Sequence, residues 1–155
     1  MSSADTAPRP VAAPLGGPAG FWRRLASMFY DGLLLIALYM FTAALLLPFT
    51  HGEAITPQDS AGLTYLLRAL LVAATFLYFG LSWTRGGQTI GMRAWQIRAV
   101  RADGARLSWR DVATRLGAAL LSWLPAGMGF LWILVDSGKL AWHDRLSGTR
   151  IVRAG

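Results

Sequence analysis

The stretch Arg23–Leu47, RRLASMFYDGLLLIALYMFTAALLL, decides the fold. From Leu25 to Leu47 it carries one charge only, Asp31. At about 1.5 Å per residue such a helix crosses a hydrocarbon layer about 30 Å thick, so the run reads as a membrane span. An ionised aspartate inside a span costs about 2.5 to 3.5 kcal/mol on insertion scales, and it persists where it faces protein, water or an opposite charge. Arg24 stands seven residues before Asp31, two helical turns away, so both project from one face.

The whole chain fits that reading. Its 155 residues are 54% hydrophobic and 15% charged, with mean hydropathy +0.41, too apolar for an ordinary soluble domain and too short for several domains. With no cysteine there is no disulfide, thiolate nucleophile or cysteine-bound metal, and His51 and His143 alone make a poor metal site. A net charge of +7 raises the question of nucleic acid, but no recognition motif accompanies the arginines, whose distribution follows membrane topology instead.

Residues 1–20 are rich in Ala, Pro, Gly and Ser and are expected as a disordered cytoplasmic tail, with 21–155 forming a single membrane domain. A cleaved signal peptide over residues 1–54 is disfavoured by the length of the apolar run and by Asp31. The loop Phe49–Gly62 has acids but no Lys or Arg and should face outward. A second span follows from Leu63 to Thr84, with Arg68 snorkelling near its outer end and Tyr78, Phe79 and Trp83 as an interfacial aromatic belt at the inner end. From Arg85 to Asp111 arginines dominate, which makes this loop cytoplasmic and, with Arg9, Arg23 and Arg24, places the N-terminus on the same side. Anionic lipid headgroups are the natural partner for the surplus charge.

Inside that loop Gly86–Gly91 lacks the setting and the Lys-Ser/Thr ending of a phosphate loop and reads as a turn or close-packing element. Trp95–Arg101 reads as a strand, Asp103-Gly104 as a turn and Arg106-Leu107 as a second short strand. Ser108 and Asp111 form a capping box opening a helix from Trp109 to Leu124, which Pro125 ends. Apolar character resumes over residues 126–135. One crossing from Leu116 to Val135 is long enough, but it would leave Lys139, Arg145, Arg150 and Arg153 outside; a hairpin broken at Pro125 returns them to the cytoplasm. The closing strand Thr149–Arg153 would then pair with Trp95–Arg101. The expected fold is thus mostly α: two full transmembrane helices, a Pro-broken third apolar region forming a hairpin or third span, and a short cytoplasmic strand pairing.

The arrangement R-L-x-x-x-x-x-D-G, G-x-T-x-G, V-R-x-D-G, a later arginine and a closing H-D-x-x-S-G-T resembles the RDD family of small bacterial membrane proteins. The matching residues are Arg24 and Asp31; Gly87, Thr89 and Gly91; Asp103-Gly104; Arg115; His143-Asp144; and Gly148-Thr149. The resemblance covers Gly20 to Arg153. Two departures are Met92, where a Lys is common, with Arg93 beside it, and the extra charge of Arg150-Ile151-Val152. Membership implies a multi-span inner-membrane protein, with cation/proton antiport attributed to some members.

Two functions follow. In the first, Asp31 exchanges a proton for a small cation or ligand, gated by Arg24 and Arg115, and so small a chain needs a homo-oligomer to enclose a pathway. Glycines 117, 127 and 129 offer close contact for it. In the second, Arg24, Asp31, Arg115 and Asp144 are a structural ion-pair lock in a scaffold or partner-binding protein. The expected pairs are Arg24–Asp144 and Arg115–Asp31, with a simple helical Asp111–Arg115 pair as the competing assignment. No nucleophile has a recognisable setting, so no enzyme and no cofactor are expected. His143, Gly87, Thr89 and Gly91 are secondary candidates.

Overall fold

The apolar run that opens the chain forms α1, Phe21–Ala44, followed by a single 3-10 turn, Leu47–Phe49, which begins at the leucine before Pro48. The description rests on a computed structural model and covers residues 16–56, 61–124 and 127–154. The second helix, α2, spans Ala61–Arg85. At about 1.5 Å per residue each is longer than the hydrocarbon layer is thick. Among the described residues these are the two helices long and apolar enough to cross a membrane, and only 11% of each apolar window is buried inside the molecule. Such sides, exposing Leu33, Ile36, Met40 and Val72, suit lipid rather than a protein interior.

After α2 the chain turns at Gly87, whose φ of +69° suits a residue without Cβ, and enters the short α3, Ile90–Ala94. Strand β1, Ile97–Arg101, follows. The Asp103-Gly104 turn forms as expected, with Gly104 at φ +85°. Arg106-Leu107, however, is not a strand: Arg101 N–H reaches Ala105 O at 2.9 Å and the chain then leaves for the next helix. The partner of β1 is β2, Thr149–Arg153, antiparallel with Ala99 opposite Ile151.

The expected tail boundary at residue 20 shifts as well. Residues 1–15 lie outside the described part, but Gly17–Ala19 run along the other side of β2: Arg153 N–H donates to Gly17 O at 3.0 Å and Ala19 N–H to Ile151 O at 3.0 Å. Ala19 is fully buried.

Helix α4, Trp109–Trp123, opens with the expected capping box between Ser108 and Asp111. It has 15 residues, about 22 Å, too short to cross a bilayer alone. Helix α5, Met128–Leu131, restarts after Gly127, and a Cβ on Gly129 would lie 2.7 Å from Ser122 Cβ, so α5 lies directly against α4. No continuous helix covers Leu116 to Val135 among the described residues, and Pro125 itself lies outside them. Helix α6, Trp142–Leu146, leads into β2.

The packed core consists of Trp83, Met92, Ile97, Ala99, Leu107, Val112, Ile151 and Ala19, with Phe76, Phe79 and Leu116 against it. It lies where the end of α2 meets the sheet and α4, away from the apolar lengths of α1 and α2. Phe79 and Trp83, expected in a lipid-facing interfacial belt at the inner end of the second span, instead pack into this core, because the sheet and α4 cover that end of α2.

Two buried carboxylates as the candidate functional site

Helical spacing puts Arg24, Ser27 and Asp31 on the one buried face of the first half of α1. Asp31 is 5% exposed and accepts three hydrogen bonds. Tyr78 Oη of α2 donates to Oδ1 at 2.7 Å, Gly91 N–H of α3 to Oδ1 at 2.9 Å, and Thr89 Oγ1 to Oδ2 at 2.6 Å. The Thr89 hydroxyl also caps α3, accepting from Met92 N–H at 3.1 Å. One side chain thus both starts a helix and fixes the carboxylate beside it.

Gly91 allows this approach. A Cβ there would lie 2.3 Å from Ser27 O and 2.9 Å from Asp31 Cγ, inside hard-sphere contact. Gly87 serves a neighbouring purpose: its carbonyl accepts from Ala99 N–H at 2.8 Å, docking the turn on β1. The resemblance-derived trio Gly87, Thr89 and Gly91 therefore belongs to the seat of Asp31, with Thr89 and Gly91 in direct contact.

The second carboxylate, Asp144, is 1% exposed and sits in α6. Its Oδ2 accepts from Arg24 Nη1 and from Ala141 N–H at 3.1 Å. Arg115 Nη1 lies 2.7 Å from Oδ1, an ion-pair contact rather than an aligned hydrogen bond. The Arg24 guanidinium also donates to Lys139 O at 2.8 Å, to Ala19 O at 3.2 Å and to Ile151 O at 3.4 Å, joining α1, the N-terminal segment, α6 and β2 through one side chain. Arg115 lies over the Trp83 ring, 5.3 Å from its centroid, and donates to Thr149 Oγ1.

Burial alone would raise the Asp144 carboxyl pKa, but Arg115, Arg24 and His143 overcome it and hold the group at about 2. Burial pushes the neighbouring His143 down to about 4, with Arg115 adding to the effect, so its ring is neutral at pH 7. Two guanidiniums against one carboxylate leave this cluster with one positive charge in excess.

Of the expected pairs, Arg24–Asp144 forms and Arg115–Asp31 does not. Arg115 is committed to Asp144, and Asp31 is satisfied by neutral donors with no Arg or Lys within 4 Å among the described residues. The helical Asp111–Arg115 pair is also absent: Asp111 accepts from Ser108 and lies 3.8 Å from Arg101. Of glycines 117, 127 and 129, Gly129 packs against Ser122 within the chain, whereas nothing lies within 4 Å of a Cβ at Gly117 or Gly127. Sequence reasoning missed the Asp136–Arg145 pair that braces the segment before α6, and it named Tyr78 and Thr149 only as an interfacial aromatic and a motif residue, not as partners of Asp31 and Arg115. Tyr78 had a signal: in two antiparallel helices, residues at similar distances from the same end meet, and Asp31 and Tyr78 are so placed.

Two long lipid-suited helices tied by buried polar contacts to a small α/β cap define a membrane-type protein. The chain belongs to the RDD family, whose model matches residues 18–148. It is 26% identical over 147 residues to the uncharacterised protein YxaI of Bacillus subtilis (strain 168), covering 87% of this chain and 97% of that one. It is 28% identical over 142 residues to the uncharacterised protein YckC of the same organism, covering 88% and 85%. No solved structure matches the chain.

Proposed function

We propose that this is a multi-pass inner-membrane scaffold or partner-binding protein in which Arg24, Arg115 and Asp144, together with Asp31 in its separate seat, lock the helices to a cytoplasmic cap. The observation that carries the reading is the seating of both carboxylates: each is buried, and each joins three segments of the chain through hydrogen bonds or ion pairs. The pairing of β2 with both Gly17–Ala19 and β1 supports a common side for the N-terminal flank, the α2–α3 turn and the C-terminus. The arginines of that cap favour the cytoplasm.

A second reading keeps Asp31 as a proton or cation exchange site. It is favoured by the absence, among the described residues, of a cation within 4 Å of this acid in a membrane-length helix. The two readings part in proteoliposomes. A sodium- or potassium-driven proton flux in the wild type, abolished in folded Asp31→Asn, establishes exchange and overturns the scaffold reading. No flux in the wild type, with Asp31→Asn destabilised, establishes the lock.

A further inference from the structure

The cap also contains a cationic recess that the lock does not use. It lies between the last turns of α2 and the start of α3, measures about 260 Å³, and is lined by Ser82, Arg85, Gln88 and Arg93 with Leu81 and Ile90 at its apolar edge. Gly86 forms part of the lining, and a Cβ there would lie 3.6 Å from Arg93 Nη2, which places that guanidinium across the glycine backbone. Gln88 is held in place by donating from Nε2 to Ile97 O at 2.9 Å. Arg106 adds a third positive charge alongside, its Nη1 3.3 Å from Arg85 O.

None of Arg85, Arg93 and Arg106 has a carboxylate within 4 Å among the described residues, whereas Arg24, Arg115 and Arg145 each have one and Arg101 has two. The recess therefore combines uncompensated, exposed guanidiniums with a polar floor. The α2 C-terminus itself repels an anion, so the arginines must supply the attraction. Ile90 is 56% exposed at the rim, immediately beyond a membrane-length helix. Guanidinium forks match phosphate oxygens, and an apolar rim beside a membrane-length helix matches the start of acyl chains.

We propose that this recess binds the phosphate headgroup of an anionic phospholipid, with Arg85 and Arg93 on the phosphate and Leu81 and Ile90 against the upper acyl chain. The inference rests on the membrane placement above and supplies that module with a specific lipid partner.

The test titrates the purified full chain in neutral detergent with short-chain phosphatidylglycerol, short-chain phosphatidylcholine and inorganic phosphate, read by calorimetry. Phosphatidylglycerol should bind with one-to-one stoichiometry and at least about tenfold tighter than phosphatidylcholine, the size of one charge-assisted hydrogen bond. Arg85→Gln and Arg93→Gln should each weaken it about tenfold, and Arg93→Lys less, because it keeps the charge. Arg110→Gln, an exposed arginine outside the recess, should leave it unchanged. Helical circular dichroism of each variant confirms that the fold persists. Equal loss in Arg110→Gln reduces the effect to net charge and overturns the proposal. Inorganic phosphate binding as tightly as the lipid makes free phosphate the ligand and overturns the lipid assignment. Absence of phosphatidylglycerol binding overturns the site while leaving the membrane placement intact, since resistance of the chain to carbonate extraction reports that placement separately.

Discussion

Replacing Gly91 by alanine should separate α1 from α3. The new methyl carbon would lie 2.3 Å from Ser27 O, and ordinary contact begins near 3.4 Å, so one helix must move by about 1 Å. The obstructing atoms are backbone and a seated carboxylate, neither of which rotates away. Moving α3 by that much stretches the 2.9 Å bond from Gly91 N–H to Asp31 beyond hydrogen-bonding range. Overpacking of this kind costs about 1 to 3 kcal/mol, and leaving a buried donor or acceptor unsatisfied about 1 to 3 kcal/mol, giving about 2 to 6 kcal/mol together. For a chain of this length the midpoint of thermal unfolding should fall by about 10 °C, followed by circular dichroism in detergent. Gly117→Ala is the matched control: nothing lies within 4 Å of its Cβ, and alanine is the better helix former by about 1 kcal/mol, so its midpoint should hold or rise. If Gly91→Ala unfolds at the wild-type temperature, the close approach of Ser27, Asp31 and Gly91 is not what holds α1 to α3.

Three further outcomes are expected. Asp144→Asn leaves two buried guanidiniums without their counter-charge and should destabilise by about 3 to 5 kcal/mol in the same unfolding measurement; an unchanged midpoint shows that the cluster bears no weight. His143 has its pKa depressed to about 4, so the unfolded chain takes up its proton first and stability should decline as pH falls from about 6.5 to about 4. His143→Asn should flatten that limb of the midpoint-versus-pH curve, while the further decline from about pH 4 to about 2, due to Asp144, should remain in both. Cysteines at Ala99 and Ile151, opposite each other in the sheet, should crosslink under mild oxidation and change gel mobility, and failure to crosslink would argue against the β1–β2 register.

Much of this architecture was legible in the chain because its signals are local. The apolar runs announce α1 and α2, Ser108 and Asp111 announce α4, and charge asymmetry brings the closing strand back to Trp95–Arg101. The Arg24–Asp144 contact was legible too, since both groups are charged and charge balance places both on one side. Asp31 was harder. Its partners are a phenol, a hydroxyl and a backbone N–H, and a search for opposite charges finds none of them. Arg106-Leu107 misled because two residues after a tight turn look like a returning strand, whereas the true partner of β1 is supplied by the far end of the chain. The bridging of Gly17–Ala19 to β2 had no signal beyond their neighbours' composition, because backbone pairing along an edge is nearly blind to side-chain identity.

The Arg24–Asp144 contact closes a separation of 120 residues, and this has a consequence for the order of events during synthesis. On the cytoplasmic orientation proposed above, Arg24 has no partner when α1 first meets the membrane, and an unpaired arginine at that point would help to retain the N-terminal flank on the side where it was made. Only after nearly the whole chain has been translated does Asp144 emerge, neutralise that charge and draw it into the cap. On that orientation the same guanidinium would act first as an orientation signal and later as a clasp, and a chain truncated before α6 should be inserted correctly yet never close.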